Sequence, residues 1–172
     1  MKPSRVLVVG CGSIGLRHLR LLNERDDCNV SACDPRKEAQ KDVAGIDKRI
    51  ACFTDLKEAL QEQPEIVVVA SPNEHHCDAA LAALRAGAHV LCEKPLGRYG
   101  QERQTDVMKI FDCNREGYRT LTFERVRDNY IRAEHQDMFD AVRTGRSPKV
   151  DGRAGLEVLE IAEKAIRQTR RG

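Results

Sequence analysis

The sequence predicts an α/β protein built on a doubly wound parallel sheet, and three observations support that fold class. Short, almost continuously apolar segments alternate with segments whose apolar residues recur at helical spacing. The most apolar of them, "IVVVA" at 66–70, does not alternate with polar residues, which is typical of a strand buried on both faces. A glycine-rich turn, "GCGSIG" at 10–15, joins the first strand to the first helix.

Five strands are predicted from short apolar runs that end at turn or helix signals. They cover residues 5–9, 30–33, 50–53, 66–70 and 89–92. The first helix is predicted from Leu16, Leu19 and Leu22, and a weak second helix covers 38–43. Asp55 caps a third helix, and Gly87 ends a fourth, alanine-rich helix over 78–86. Such alternation favours a sheet with helices on both faces.

The pattern changes after residue 97, so we predict a first domain over 1–97 and an appendage over 98–172. A polar linker is followed by two alternating segments, 107–111 and 119–123, which predict a β-hairpin. Two amphipathic helices end the chain, the first capped by Asp128 and reaching Thr144, the second preceded by Asp151. Their apolar residues are Tyr130, Met138 and Val142 in the first and Leu156, Leu159, Ala162 and Ile166 in the second.

This appendage needs a surface on which to bury its apolar residues. The two helices are expected to dock on the first domain or on another chain. The hairpin over 107–123 is expected to leave exposed strand edges, which readily pair with another chain. We therefore expect a homodimer or a larger assembly.

Composition excludes several classes of protein. The 172 residues are 41% hydrophobic and 33% charged with a net charge of +2, and no basic tail indicates nucleic acid or an anionic membrane as a partner. No apolar run approaches the ~20 residues of a membrane span, and the first strand begins too early for a signal peptide. The seven cysteines form no CxxC pair, so we expect a cytoplasmic protein without a metal site, whose cysteines are mostly small buried apolar groups.

The glycines of the first turn match G-x-G-x-x-G, with a strand before, a helix after and an acidic residue ending the next strand. That context is the dinucleotide fingerprint of a Rossmann fold. We expect Gly10 to make the tight turn, Gly12 to let a pyrophosphate approach the backbone, and Gly15 to let the helix pack close to the strand. Ser13 and Ile14 begin the helix, whose free N–H groups suit phosphate oxygens.

The acidic residue of that fingerprint, Asp34, ends the second strand. Its carboxylate can accept hydrogen bonds from both ribose hydroxyls, which favours NAD, whereas the 2′-phosphate of NADP would meet a negative charge. Arg36 and Lys37 follow closely and either pair with that phosphate or simply begin a solvated helix. NAD is the predicted cofactor, and use of NADP as well stays open.

Two further segments lie at the carboxyl ends of strands, where ligands bind in open α/β sheets. In "ASPNEHH", Pro72 stiffens the turn, and Ser71 and Asn73 are expected to face the ribose of the nicotinamide. His76 either contacts substrate or caps the next helix, and His75 is expected at the surface.

The second segment is "CEKPLG" at 92–97, which places Glu93 and Lys94 at the same rim. A lysine beside the cofactor ring can hydrogen-bond a substrate hydroxyl and help to manage its proton. The alternative interpretation is a surface ion pair at the end of a strand.

Taken in order, "GCGSIGLRHL", "CDP", "ASPNEHH" and "AGAHVLCEKPLG" resemble the Gfo/Idh/MocA oxidoreductases over residues 5–97. The resemblance implies an NAD(P)-dependent dehydrogenase of sugars or polyols, and its opening motif is most similar to members that act on nucleotide sugars or surface-polysaccharide precursors. The family's EKP motif falls on Glu93, Lys94 and Pro95, which implies that Lys94 contacts nicotinamide and substrate.

The tail over 128–162 is similar to the last two helices of this family, but about thirty residues replace the long segment that precedes them there. The chain thus resembles the family's beginning joined to its end, without the helix that bears the paired Asp and His of the catalytic site. Two hypotheses follow: an active dehydrogenase using Lys94 and His76, or a weak or inactive NAD(H)-binding module. A third holds that another chain supplies the missing part or that it was removed by construction. His135 approaches the site only if its helix folds across the cleft.

Overall fold

The computed structural model describes residues 2–94 and 130–169, which form a five-stranded sheet and six helices. The strands are β1 (Ser4–Val9), β2 (Cys28–Cys33), β3 (Cys52–Phe53), β4 (Ile66–Val69) and β5 (His89–Cys92). The helices are α1 (Ser13–Asn23), α2 (Ala39–Ala44), α3 (Leu56–Gln61), α4 (His76–Arg85), α5 (Tyr130–Thr144) and α6 (Gly152–Thr169). A short 3₁₀ turn, Asn73–His75, leads into α4.

The sheet confirms the predicted fold class. Its order is β3-β2-β1-β4-β5 and every pair of neighbours is parallel. The chain moves outward from β1 to β3 and then returns to place β4 on the other side of β1. Val9 lies beside both Cys33 and Val69 in the register. The carboxyl ends of β1 and β4 therefore flank the point where the connections diverge, the crevice in which such sheets bind ligands.

Both faces of the sheet are buried, because alternate residues of each strand point to opposite sides. On one side Val6 and Val8 pack with residues of α1, α2 and α5. On the other, Leu7 and Val9 pack with α3 and α4. The continuous apolar run of β4 divides in the same way, which explains why no polar residue interrupts it.

Some elements differ from the predicted bounds. The second strand begins at Cys28 rather than at residue 30, because Ser4 and Arg5 pair with Cys28 and Asn29. The third strand is reduced to two residues, since only Cys52 and Phe53 pair with β2. The fourth helix begins at residue 76 rather than 78, because the 3₁₀ turn runs directly into it.

Helix α5 docks on α1 and reaches the sheet core, one of the two outcomes expected for the tail. Ile131, His135, Met138 and Phe139 form its buried face, and the last two join the core that contains Val6 and Val8. The predicted face was wrong at Tyr130, which is exposed. Phe139 also lies under the guanidinium of Arg25, with 4.4 Å from the carbon to the ring centre.

Helix α6 begins where the sequence predicts it. The Asp151 carboxylate accepts hydrogen bonds from the backbone N–H groups of Arg153 and Ala154 at 3.0 and 3.1 Å, which is an N-terminal cap. Leu156 and Leu159 are half-buried and Val158 is exposed. Pro95, the linker, the hairpin over 107–123 and Asp128 lie outside the described residues. Within the described residues, no helix is long and apolar enough to cross a membrane.

Candidate functional site

The glycine turn after β1 is closed by two approaches that leave no room for a side chain. Gly10 has a φ of +91°, and a Cβ there would lie 2.5 Å from the backbone of Ser71. A Cβ on Gly15 would lie 1.8 Å from the Gly10 carbonyl oxygen. Both positions therefore require glycine, which is why the turn can bring the start of α1 against the ends of β1 and β4.

Gly12 differs from the other two glycines, because a Cβ there would point into open space. It is the N-cap of α1, makes no side-chain capping bond, and no acidic residue lies in the first turn. The helical hydrogen bonds begin with the Leu16 N–H, which donates to the Gly12 carbonyl at 2.9 Å. The backbone N–H groups of Ser13 and Ile14 therefore have no partner within the helix. The space before Gly12 fits an anionic group such as a pyrophosphate.

Asp34 lies beside this turn, where it is 5% exposed. Its Oδ2 accepts a hydrogen bond from the Cys11 backbone N–H at 2.8 Å. The Arg36 guanidinium binds both carboxylate oxygens, each at 2.9 Å, and the Arg36 backbone N–H adds a third bond at 2.9 Å. Burial opposes ionisation, but these hydrogen bonds outweigh it and hold the pKa of Asp34 below its usual value. Asp34 is thus a carboxylate at neutral pH.

Arg36 occupies a position that sequence reasoning did not anticipate. The sequence predicts that the Arg36 side chain either pairs with a phosphate or lies in solvent at the start of a helix. In the structure it forms a two-pronged ion pair with Asp34 while remaining more than half exposed. Its guanidinium thus occupies both carboxylate oxygens of Asp34.

The rim after β4 contains a buried polar atom without a partner. The Ser71 hydroxyl is buried and makes no hydrogen bond, an uncommon condition that a ligand in the crevice would relieve. Pro72 and Asn73 are exposed, and so is His75, as predicted for that histidine. His76 is 1% exposed and its Nε2 lies 2.7 Å from the Ser71 carbonyl oxygen. This contact ties the ring to the rim loop, and a role of His76 toward substrate stays a prediction.

The rim after β5 carries the predicted charged pair. The Glu93 backbone N–H donates to the Val69 carbonyl at 2.9 Å, so the ladder continues one residue past the strand. Lys94 is exposed, and its backbone N–H donates to Glu93 Oε2 at 3.3 Å.

The other Glu93 oxygen contacts a residue that sequence reasoning missed. His18 is fully buried in α1, and its Nε2 lies 2.9 Å from Glu93 Oε1. Its Nδ1 lies 2.8 Å from Nε2 of His135, which is 2% exposed in α5. A signal was available, since a histidine stands next to Leu19 and four residues before Leu22, on the apolar face of the helix.

Cysteines near the site behave as packing groups. Burial is the main cause that raises the pKa of Cys11 and of Cys92 to about 12 and that of Cys33 to about 11, so these thiols stay protonated at neutral pH. In the part of the chain that the structure covers, no group of three or more His, Cys, Asp or Glu residues could hold a metal ion.

Comparison with known proteins places this geometry in context. The family model described as "Oxidoreductase family, NAD-binding Rossmann fold" (GFO_IDH_MocA) matches residues 4–122. Inositol 2-dehydrogenase of Streptomyces avermitilis is 41% identical over 95 residues, which are 53% of this chain and 27% of that protein. Inositol 2-dehydrogenase 2 of Saccharopolyspora erythraea is 31% identical over 147 residues, 81% of this chain and 42% of that protein.

A solved structure shares the fold. The WlbA dehydrogenase from Bordetella pertussis, in complex with NADH and UDP-GlcNAcA, superposes with a TM-score of 0.51 at 27% identity. The match covers 56% of this chain and 30% of that one. The chain therefore spans less than half the length of each of these three proteins.

Acidification should destabilise the protein through His135. Burial, followed by the electrostatic effects of His18, Arg25 and Arg132, lowers the pKa of His135 from 6.5 to about 3. Between those values the unfolded chain binds a proton that the folded one excludes. The free energy of unfolding should thus fall by about 1.4 kcal/mol per pH unit below 6.5.

His135→Gln keeps an amide donor but does not titrate, so it should remove this part of the acid sensitivity. Urea unfolding at pH 7 and at pH 5 measures this effect. Between these two pH values, the free energy of unfolding should fall by about 2 kcal/mol more in the native protein than in His135→Gln. Equal losses in the two proteins would show that His135 is not held neutral.

Proposed function

This chain belongs to the oxidoreductase family with an NAD-binding Rossmann fold, and from that membership we propose that it binds NAD(H) across the β1–β4 crevice to oxidise or reduce a sugar or polyol at a CH–OH group. One observation carries the proposal. The space before Gly12 opens onto the uncapped start of α1 and lies beside an ionised, buried Asp34. Backbone N–H donors for a phosphate and a carboxylate acceptor for ribose hydroxyls thus stand next to each other, as a dinucleotide requires.

The half of the site formed by β1, β2 and α1 would hold the adenosine end. Backbone N–H groups of Ser13 and Ile14 would bind the pyrophosphate. Asp34 would accept hydrogen bonds from the ribose once Arg36 has moved from its carboxylate. Because the Arg36 side chain is more than half exposed, it can move into solvent, and hydrogen bonds from the ribose would then replace those that the guanidinium makes to the buried carboxylate.

The half formed by β4 and β5 would hold the nicotinamide end. Ser71 and Asn73 are available to its ribose, and Glu93 and Lys94 stand at the neighbouring strand end. When bound, NAD⁺ supplies the hydride acceptor. Lys94 would orient the substrate hydroxyl and hydrogen-bond its oxygen as the proton leaves.

The class of substrate is inferred from relatives. Two inositol 2-dehydrogenases are among them, and the superposed WlbA structure contains a nucleotide sugar. A hydroxyl-rich ring is the chemistry that these names share. A sugar or polyol is therefore the proposed substrate, with a nucleotide sugar as the more specific case.

A second function is a cofactor-binding module with little turnover by itself. The three buried imidazoles of the described residues already have partners, since His76 contacts the Ser71 carbonyl, and His18 and His135 contact each other. A general base would then come from outside the described residues or from another chain. For either function we propose a cytoplasmic location and a homodimer or larger assembly.

Substitution of Gly12 by valine tests cofactor binding directly. Gly12 has an extended backbone with a φ of −75°, so a side chain adds no strain there, but it would fill the space proposed for the pyrophosphate. NADH fluorescence titration should show saturable binding by the native chain and none by Gly12→Val. Gly152→Val is the matched control, because its Cβ also meets open space. Equal binding by all three proteins would refute the site.

Cofactor choice is tested at the Asp34–Arg36 pair. Asp34→Ala should weaken NADH binding by about 1–3 kcal/mol, the value of hydrogen bonds to a charged group, and should affect NADPH less. Arg36→Ala should weaken NADPH and leave NADH unchanged or tighter, because it frees the carboxylate. Titration of both variants with both cofactors measures this. An equal loss of NADH and NADPH in Asp34→Ala would contradict the ribose role.

Turnover separates the two functions. If the chain is chiefly a cofactor-binding module, oxidation of inositols, sugars and nucleotide sugars should stay far below the ~10 s⁻¹ typical of enzymes. Any residual activity should vanish in Lys94→Ala, while NADH affinity changes little. Rapid turnover that survives Lys94→Ala would show that both the assigned role of Lys94 and the module hypothesis are wrong.

A further inference from the structure

A chain of three polar side chains, Glu93, His18 and His135, joins the end of β5 to α1 and α5 through their buried contact. Glu93 Oε1 contacts His18 Nε2 at 2.9 Å, and His18 Nδ1 contacts His135 Nε2 at 2.8 Å. The two rings are 5.0 Å apart at a tilt of 45°, so the contact is a hydrogen bond between ring edges rather than a stack. We call this chain the Glu93–His18–His135 relay.

The relay has a defined direction when both imidazoles are neutral. The Glu93 carboxylate can only accept, so His18 donates its Nε2–H to it. His18 Nδ1 is then an acceptor, and His135 must donate its own Nε2–H. His135 Nε2 and both nitrogens of His18 are thereby hydrogen-bonded, and the relay ends on the Glu93 carboxylate.

Burial of the relay costs free energy unless each of its side chains has a hydrogen-bond partner. The neighbouring buried residues of α5 are apolar: Ile131, Met138 and Phe139 are each 7% exposed or less. Two buried imidazoles among such residues require hydrogen bonds to offset the loss of water. A pair of leucines would pack there without that cost, so the histidines have a use besides packing: they hold Glu93.

Strand geometry explains why Glu93 is the end point. Alternation along β5 places Glu93 on the same face as Leu91, which packs with the core on the α1 side. One carboxylate oxygen is held there by His18, and the other accepts the Lys94 backbone N–H at 3.3 Å. The side chain is 19% exposed, so part of it still reaches the rim. A change at His18 would thus be transmitted to the Glu93–Lys94 backbone.

We propose that His18 and His135 are positioning residues for the nicotinamide half of the cofactor site, acting through Glu93, so that α5 forms part of that half-site. The inference rests on the proposed binding of NAD(H). Glu93 and Lys94 follow β5 in the second half of the sheet, whereas the adenosine half is built from β1 and β2. Loss of the relay should therefore affect the two ends of the cofactor unequally.

Two substitutions of His18 separate positioning from packing. His18→Asn places its amide near the former Nδ1, so it keeps a partner for His135 and loses Glu93. His18→Gln places its amide near the former Nε2, so it keeps the bond to Glu93. Both are neutral and polar, and each leaves one relay member without its bond. The full chain is titrated with NADH, which occupies both halves of the site, and with ADP, which occupies only the adenosine half.

The expected result is a selective loss. His18→Asn should bind NADH about tenfold more weakly, as for a lost hydrogen bond to a charged group, while its ADP affinity stays within about twofold. His18→Gln should recover most of the NADH affinity. His135→Leu should weaken NADH by a smaller factor, again without affecting ADP. Asp34→Ala, by contrast, should weaken both ligands.

Other outcomes are equally clear. Equal NADH affinity in the native chain and His18→Asn would overturn the inference while leaving cofactor binding intact. A parallel loss of NADH and ADP in both His18 variants would also overturn it, because it would indicate a purely structural role. Failure of the native chain to bind either ligand would refute the proposed function itself.

Discussion

The contact between the Gly10 turn and the end of β4 is the constraint on which the candidate site depends. The parallel register sets Val9 beside Val69, and this brings Gly10 so close to Ser71 that no side chain fits between them. Gly15 then meets the Gly10 carbonyl, which fixes where α1 starts. That contact helps to set the positions of the Ser71 hydroxyl and of the start of α1, before which we propose the anion site.

A second constraint joins the end of the chain to its beginning. Met138 and Phe139 of α5 enter the core formed with Val6 and Val8, and Arg143 of α5 binds Asp27 at the start of β2. Hydrogen bonds from Arg25 first, and from Arg143, lower the pKa of Asp27 to about 2, so this ion pair persists over the whole neutral range. The tail helix is therefore held against α1 by apolar packing, by surface charges and by the buried relay.

Sequence reasoning succeeded where the physical cause is local. The structure contains the predicted succession of strands and helices, the glycine turn and the helix caps at Asp55 and Asp151. Each of these features depends on residues within a few positions of one another. It was less successful where the cause is a partner distant in the chain. His18 lies within the motif "GCGSIGLRHL", but its role was not predicted, because its partner His135 is 117 positions away. Arg36 was assigned to a phosphate or to solvent, since its pairing with a buried Asp34 depends on the fold.

We propose that one cofactor molecule spans the β1–β4 crevice and that α5 takes part in the half of the site that holds its nicotinamide. Hydrogen–deuterium exchange of the full chain, with and without NADH, tests it most directly. We expect slower exchange at residues 10–16, 34–36 and 70–76 and along the α5 segment that contains His135. Protection confined to 10–16 and 34–36 would contradict the role of α5, and no protection at 10–16 would contradict the site as a whole.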